Sequence, residues 1–392
     1  MPTATITRQP AVADVRPPIV MVDPQAPASP ELKALLTDVQ NKMKLSFAMA
    51  AAGVAPAQPS ATDKLFQSFM ANRPQAKRDK ARAHAQTLLS AAPAVRQTMF
   101  GRYGVIESAA YKGADQAQQT LGVTKVDGAK LQASLTAFGE NDAAQVVAPP
   151  ASFAAKTLTA IDLSALRRLK PIDPDVLAGA KYKKLGLFIN SVHCIEETDG
   201  WGSDEIAMGG VATAPDGTTF KIGEFMVSDD FDAGETKTYS GKGKLFHEFN
   251  IRTDKNWPHV YACVVCMAEK DGSGFGDFLT QLWDKVGDEV KAAIAGAVGG
   301  AIGAALGSFF GPLGTALGTA IGWLLGALVN WILGFFQDDI VANHTILLGL
   351  GAATKSYYDW AKLTADPPHQ FSVDYNGDGG RYRVWFSLSV YP

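Results

Sequence analysis

The feature that most constrains this chain is a run of 46 residues without a charged side chain, Ala292–Gln337. Gly311-Pro312 divides the run into Ala292–Phe310 and Leu313–Phe336, which contain 19 and 24 residues. Each part reaches the roughly 18–20 apolar residues that a membrane-spanning helix requires. A Gly-Pro pair is typical of a turn between two such segments. The run therefore predicts a long apolar helical hairpin.

Glycines recur every four residues along both parts of this run. This spacing places them on one stripe of a helix, where a second backbone can approach closely. In water each glycine weakens a helix by about 1 kcal/mol, whereas in lipid every backbone polar group must be bonded within the helix. The pattern favours membrane insertion and self-association. The residues concerned are Gly299, Gly303, Gly307, Gly311, Pro312, Gly314, Gly318, Gly322 and Gly326, with Trp323 and Trp331 as interfacial aromatics.

Charge and hydropathy patterning divide the rest of the chain near residue 180. Residues 1–180 contain 20 Lys and Arg against 14 Asp and Glu, and the remainder contains 16 against 25. Apolar residues follow helical spacing before this point and short, turn-separated strands after it. The sequence predicts an α+β chain with four parts. These are a flexible Pro/Ala-rich arm (1–29), a helical domain (30–180), an antiparallel β-sandwich (181–274 and 340–392), and an amphipathic helix with the apolar hairpin (275–339).

Acidic residues cluster in the predicted loops of the sandwich. Carboxylates that converge from separate loops are what a hard cation such as calcium requires, so we consider calcium as a cofactor. The alternative is that these residues occupy ordinary turns and solvated loops. The candidate ligands are Asp199, Asp204, Asp229, Asp230, Asp232, Asp271, Asp374, Asn376 and Asp378.

Two family resemblances follow from these patterns. The acidic-loop sandwich, through Asp199, Asp204, Asp229–Asp232, Asp271 and Asp374–Asp378, resembles synaptotagmin-type calcium- and phospholipid-binding sandwiches. The apolar run from Gly299 to Gly326 resembles the glycine-zipper and colicin-type hairpins of pore-forming proteins. It differs from colicins because their hairpin lies within a purely helical bundle, whereas this one interrupts a β domain. The resemblances imply lipid binding and insertion.

Other classes of function find little support in the residues. No standard motif for a catalytic nucleophile, a zinc protease or a phosphate-binding loop is present, so we expect no catalytic residues. A net charge of −3 argues against nucleic-acid binding. Cys263 and Cys266 fit opposite faces of a buried strand, because an offset of three residues reverses the face. No secretory signal opens the sequence, so we expect synthesis in the cytoplasm and, if the protein is exported, a non-standard route.

Two functions from different classes are compatible with this sequence. The first is a membrane-active, pore-forming toxin or effector, which would oligomerise through the glycine stripes and dock to lipid through the sandwich, with calcium. The second is a non-enzymatic assembly or binding protein, in which the hairpin is a buried core or partner-docking element. In the second, the N-terminal arm would dock into a partner.

Overall fold

A computed structural model of the chain describes residues 20–23, 29–140, 182–198, 204–216, 218–252, 259–269, 275–298, 311–336, 342–350, 353, 355–377 and 379–392. Its helices are α1 Pro30–Ala52, α2 Ala61–Ala71, α3 Gln75–Leu89, α4 Pro93–Phe100, α5 Ala114–Leu121, α6 Gly128–Glu140, α7 Phe275–Val298, α8 Gly311–Leu333 and α9 Lys355–Trp360. Its strands are β1 Val20–Val22, β2 Lys184–Glu196, β3 Asp204–Thr213, β4 Thr219–Phe231, β5 Thr236–Thr238, β6 Lys244–Asn250, β7 His259–Glu269, β8 Ala342–Leu350, β9 His369–Gly377 and β10 Gly380–Tyr391.

Helix α1 begins and ends where its sequence dictates. The side chain of Ser29 accepts a hydrogen bond from the backbone N–H of Leu32, and Pro30 occupies the first turn, where its missing N–H costs nothing. Gly53 ends the helix with φ 81°, a left-handed conformation that glycine adopts without strain. The same helix buries apolar residues along most of its length, so it forms the centre of the helical layer.

The strands form two antiparallel sheets, which confirms the predicted α+β class. The first sheet has the order β1-β8-β7-β3-β4, and the second has the order β5-β2-β10-β9, with β6 also paired to β2. Side chains such as Ile189 and Phe386 of the second sheet share one apolar core with Met208, Cys263 and Leu348 of the first. The two sheets therefore pack face to face as a sandwich.

A second core lies on the other face of the first sheet. Val211, Val264 and Leu347 of this sheet cluster with Leu282 of α7 and Leu325 of α8. The same cluster includes buried residues of the N-terminal helices, among them Leu36, Phe47 and Phe66 of α1 and α2. The architecture is thus layered: N-terminal helices, the pair α7 and α8, the first sheet, and the second sheet.

The described part of the uncharged run does not support the long apolar hairpin that the sequence predicted. Helix α7 crosses the expected boundary at Lys291 and continues to Val298, so the amphipathic and apolar segments belong to one helix. Gly311 and Pro312 are the first residues of α8 rather than a turn, because proline is well suited to the first turn of a helix. Residues 299–310 lie outside the described residues.

The transmembrane and pore-forming prediction is contradicted. Among the residues that the structure describes, no helix is both long enough and apolar enough to cross a membrane. The described part of the run instead contacts other elements of the same chain, including Thr345 of β8 beside Gly322.

The predicted arm contains an ordered contact. Val20–Val22 forms β1 and pairs antiparallel with Ile346–Leu348 at the edge of the first sheet. Asp23 extends this contact, since its N–H donates to the carbonyl oxygen of Thr345 at 2.7 Å. Its carboxylate accepts from the N–H of Thr345 at 2.9 Å and lies 2.5 Å from Nδ1 of His344.

Candidate functional site

Aromatic side chains join the N-terminal helices to the pair α7 and α8. The ring of Phe69 on α2 stacks on Phe278 of α7, with centroids 3.7 Å apart. The ring of Phe47 on α1 makes edge-to-face contacts with Trp331 of α8 at 6.0 Å and with Phe335 at 5.0 Å. Such pairs contribute about 0.5–1.5 kcal/mol each beyond the burial of their area. Trp331, predicted as an interfacial aromatic, therefore packs on protein.

A buried ion pair crosses the same interface. Nζ of Lys42 on α1 lies 2.5 Å from Oε2 of Glu289 on α7, and Oγ1 of Thr62 donates to Oε1 of Glu289 at 3.1 Å. The Lys42 ammonium also donates to Oε1 of Gln118 at 2.9 Å. Ionised groups are tolerated in an apolar interior only when they are paired and hydrogen-bonded. These contacts therefore fix the register between α1 and α7.

Asp63 on α2 is the centre of a second buried polar cluster. It closes a capping box with Ser60, and it accepts hydrogen bonds from Oγ of Ser46 at 2.6 Å, from the hydroxyl of Tyr111 at 2.5 Å and from the N–H of Ala114 at 3.0 Å. Burial alone would raise the pKa of Asp63, but these hydrogen bonds outweigh it and hold the pKa below its ordinary value. One carboxylate thus ties α1, α2 and the start of α5 together.

Two of the stripe glycines lie against the first sheet. A Cβ on Gly322 would come within 2.9 Å of Cγ2 of Thr345 on β8, and the hydroxyl of Thr345 donates to the carbonyl oxygen of Gly322 at 3.2 Å. A Cβ on Gly326 would lie 3.5 Å from Oγ1 of Thr345, an ordinary contact. The close approach that the glycines permit at Gly322 is therefore between helix and sheet within one chain.

The other residues predicted to insert into the membrane have few described contacts. Trp323 is half-buried against the helical core. Gly311, Pro312, Gly314 and Gly318 lie in α8, and nothing further is described around them. Gly299, Gly303 and Gly307 lie outside the described residues.

The acidic candidates that are described lie at one end of the sandwich. Strands β2, β4, β7 and β9 end there, and β3, β8 and β10 begin there, as the antiparallel registers require. We call this the acidic end. Its exposed carboxylates belong to Glu196, Glu205, Asp229, Asp230, Asp232 and Glu235, and Asn376 is exposed at the same end. Asp199, Asp271 and Asp378 lie outside the described residues.

Asp204 at this end is occupied by internal partners. It is 2% exposed, and it accepts hydrogen bonds from the backbone N–H of Thr198 at 2.9 Å, from the hydroxyl of Thr198 at 2.6 Å and from the hydroxyl of Tyr382. Burial and the bond to Asp204 raise the pKa of Tyr382 well above its ordinary value. Asp204 therefore connects the two sheets and is not free to bind a cation as the sequence suggested.

Asp374 is likewise paired. Its carboxylate accepts hydrogen bonds from Nε and Nη2 of Arg383 at 2.6 and 2.8 Å and from Nη2 of Arg381 at 3.4 Å. The hydrogen bond from Arg383 lowers the pKa of Asp374, while burial acts in the opposite direction. Its carboxylate is thus engaged by two guanidinium groups, contrary to the predicted role as a metal ligand.

No group of three or more His, Cys, Asp or Glu side chains is arranged to hold a metal ion within the described part of the chain. Of the candidate ligands, Asp229, Asp230, Asp232 and Asn376 are exposed, and Asp204 and Asp374 have protein partners. The calcium site stays a prediction that depends on the exposed set.

The cysteines occupy buried positions. Cys263 lies in the core between the sheets and Cys266 in the core beneath the helices, as the three-residue offset predicted. Burial raises the pKa of both thiols far above the ordinary value and raises that of Cys194 to about 11. These thiols are poor nucleophiles at neutral pH, because the thiolate is the reactive form.

Sequence reasoning missed the polar residues that hold the helical layer together. Lys42 interrupts the apolar stripe of α1 between Val39 and Met43, a signal that the sequence carried. Asp63 follows Ser60 by three residues, which is the spacing of a capping box. The partner of Lys42 is 247 residues away, so only the fold reveals it.

Comparisons of the chain with protein-family models, with curated proteins and with solved structures give no match.

Proposed function

We propose that this protein is a non-enzymatic binding protein in which α7 and α8 are permanent core elements. The observation that supports the proposal is the packing of this pair, which contacts α1 and α2 on one side and the first sheet on the other. The buried Lys42–Glu289 ion pair adds to this, because releasing α7 would break the 2.5 Å contact between these two charges and leave each with its longer or neutral contacts only.

Lipid partitioning tests the core role of the helix pair. Purified protein is mixed with neutral and with anionic liposomes, with and without calcium, and floated through a density gradient. We expect monodisperse protein that remains at the bottom of every gradient. Protein that floats with either liposome, and that loses this behaviour when Phe278 is replaced by Asp, would contradict the proposal.

The acidic end is the binding face in this proposal, and its ligand is a hard cation, for which calcium is the probe. Carboxylates from β2, β3, β4 and the segment after β4 reach solvent there, and oxygen ligands of this kind suit calcium. Asp229 and Asp230 are both exposed and end the same strand, so they are the residues whose loss most directly removes ligands.

Calorimetric titration with calcium chloride tests the binding face. Wild-type protein should bind calcium more tightly than magnesium, because the larger ion tolerates irregular oxygen ligands. Asp229→Asn with Asp230→Asn should lose this binding. Glu224→Gln, an exposed carboxylate in the middle of the same strand, is the matched control and should retain it. Absence of calcium binding in the wild type would refute the assignment of the ligand, but not the core role of α7 and α8.

A further inference from the structure

The outer face of the second sheet carries an aromatic side chain in an otherwise polar row. Strand β10 alternates, with Tyr382, Val384 and Phe386 in the sandwich core and Arg383 and Trp385 on the opposite face. Trp385 is only half-buried, although tryptophan is among the largest apolar side chains. The ring therefore leaves part of its surface to solvent on a rigid central strand.

Hydroxyl groups flank this ring on both sides. Trp385 pairs with Ser191 of β2 and with Ser372 of β9, and Ser191 in turn pairs with Thr238 of β5. Residues directly opposite each other in an antiparallel sheet project from the same face. The row Thr238–Ser191–Trp385–Ser372 thus places a large ring between short side chains that both donate and accept hydrogen bonds.

The next row contains charged groups that balance one another. Arg383 pairs in register with His193 and with Asp374, and its guanidinium lies 5.9 Å from the ring centroid of Trp385. The Asp374 carboxylate holds Arg383 by two hydrogen bonds, so the side chains are fixed before any ligand arrives. Arg381, the other cation, lies opposite Glu196.

The histidine of this row also has a defined orientation. Nδ1 of His193 lies 2.9 Å from the carbonyl oxygen of Glu235 and 2.9 Å from Oγ1 of Thr236, and it donates to the carbonyl, which can only accept. The face therefore offers fixed donors and acceptors together with one aromatic surface, and its positive and negative charges are matched. A neutral ligand that is rich in hydroxyl groups complements such a face.

We infer that Trp385, with the flanking Ser191, Ser372, Arg383 and Asp374, forms a binding site for a neutral saccharide. A pyranose ring has a flat face of C–H groups, which stacks on an indole, and a rim of hydroxyls that pair with fixed polar side chains. Rigid aromatic contacts with a few convergent polar groups are how small ligands are held and oriented. The site shares Asp374 with the acidic end, but it uses none of the exposed carboxylates there and does not depend on a cation.

A glycan array that carries neutral oligosaccharides and acidic glycans tests the inference. The neutral oligosaccharide that the array retains most strongly is then titrated into the protein by calorimetry. Trp385→Ala should weaken that binding about tenfold or more, and Trp385→Phe should retain a larger part of it. Phe225→Ala, a half-buried aromatic on the other sheet, is the matched control and should bind as the wild type does.

A second variant keeps the test decisive if Trp385→Ala does not fold. Ser372→Glu changes an exposed residue next to the ring, so it should abolish binding while the thermal unfolding curve stays that of the wild type. Retention of acidic glycans alone, retention of no neutral oligosaccharide, or unchanged affinity in the Trp385 and Ser372 variants would overturn the assignment.

Discussion

Lys42 of α1 donates a 2.5 Å hydrogen bond to Glu289 of α7, and the two side chains are only 2% and 10% exposed. This bond joins the first helix of the chain to one that follows 247 residues later. It is a polar contact inside an apolar interface, so its loss affects the attachment of the helical layer to the rest of the molecule.

Removing one member of this pair should be more harmful than removing both. Lys42→Met leaves a buried carboxylate with weaker partners, and we expect the free energy of unfolding to fall by about 3 kcal/mol. The double variant Lys42→Met with Glu289→Met should recover most of that loss, because the two buried charges are removed together and the partners they leave, Lys285 and Asp115, reach solvent. Urea denaturation, monitored by circular dichroism, measures the free energy of unfolding of both variants. Arg82→Met, which breaks an exposed pair with Asp79, is the control and should change stability by less than about 1 kcal/mol.

Asp63 should make stability depend on pH in the acidic range. Its pKa is lowered in the folded state, so its contribution is fully present above the ordinary aspartate pKa and is lost as the pH falls through the lowered value. The difference in unfolding free energy between wild type and Asp63→Asn should therefore shrink as the pH falls below about 4. Urea denaturation at a series of pH values measures it. A difference that stays constant with pH would contradict the role of the ionised carboxylate.

The two glycines of α8 that approach β8 should respond in opposite directions to alanine. Gly326→Ala has room for the added methyl group and should stabilise the helix by up to about 1 kcal/mol. Gly322→Ala places its Cβ against Thr345, which is 2% exposed and held by a hydrogen bond to the same turn, so it should destabilise by about 1 kcal/mol. Thermal unfolding of the two variants measures the contrast. Equal responses would mean that helix–sheet packing does not explain these glycines.

Asp23 should control how firmly β1 is attached. Asp23→Ala removes the carboxylate that bonds to His344 and to the N–H of Thr345, while the three backbone pairs of β1 remain. Hydrogen exchange of the β8 amides should become faster, because short edge strands open with little free energy. Mass spectrometry of a peptide that covers Ala342–Leu350 measures this. A peptide from β3, Asp204–Thr213, should exchange as in the wild type.

Local signals in the sequence predicted much of the helical layer and of the sandwich. Ser29-Pro30 is a typical helix start, and α1 begins there; the change of period near residue 180 is followed by strands from Lys184 onward. The helical spacing before residue 180 does not predict that α4 ends at Phe100. There Gly101 has φ 54°, and a Cβ on Gly104 would lie 2.5 Å from the carbonyl oxygen of Arg96. The spacing of apolar residues along the sequence does not reveal a close backbone contact of this kind.

The candidate site was predictable only in part. Strand order places the exposed aspartates at one end, but Asp229 and Asp230 lie within β4 rather than in a loop, and Asp204 and Asp374 have partners on other strands. The glycine spacing of the uncharged run predicts membrane insertion. At Gly322 the same small residue serves contact with Thr345, because a helix needs little side chain where it lies close to a sheet. Composition and spacing cannot distinguish a glycine that packs against another membrane helix from one that packs against a sheet of the same chain.

The shared core beneath the first sheet also sets an order for folding during synthesis. The helices from Pro30 to Glu140 leave the ribosome well before α7 and α8 are synthesised. Phe47 and Phe69 contact the later segment in the folded protein, so until it is made these contacts are missing and part of each ring is exposed to solvent. Exposed apolar surface of this kind is a substrate for chaperones and a risk for aggregation. The N-terminal helices therefore cannot complete their core until α7 and α8 have been synthesised. Until then they are protected or only loosely collapsed.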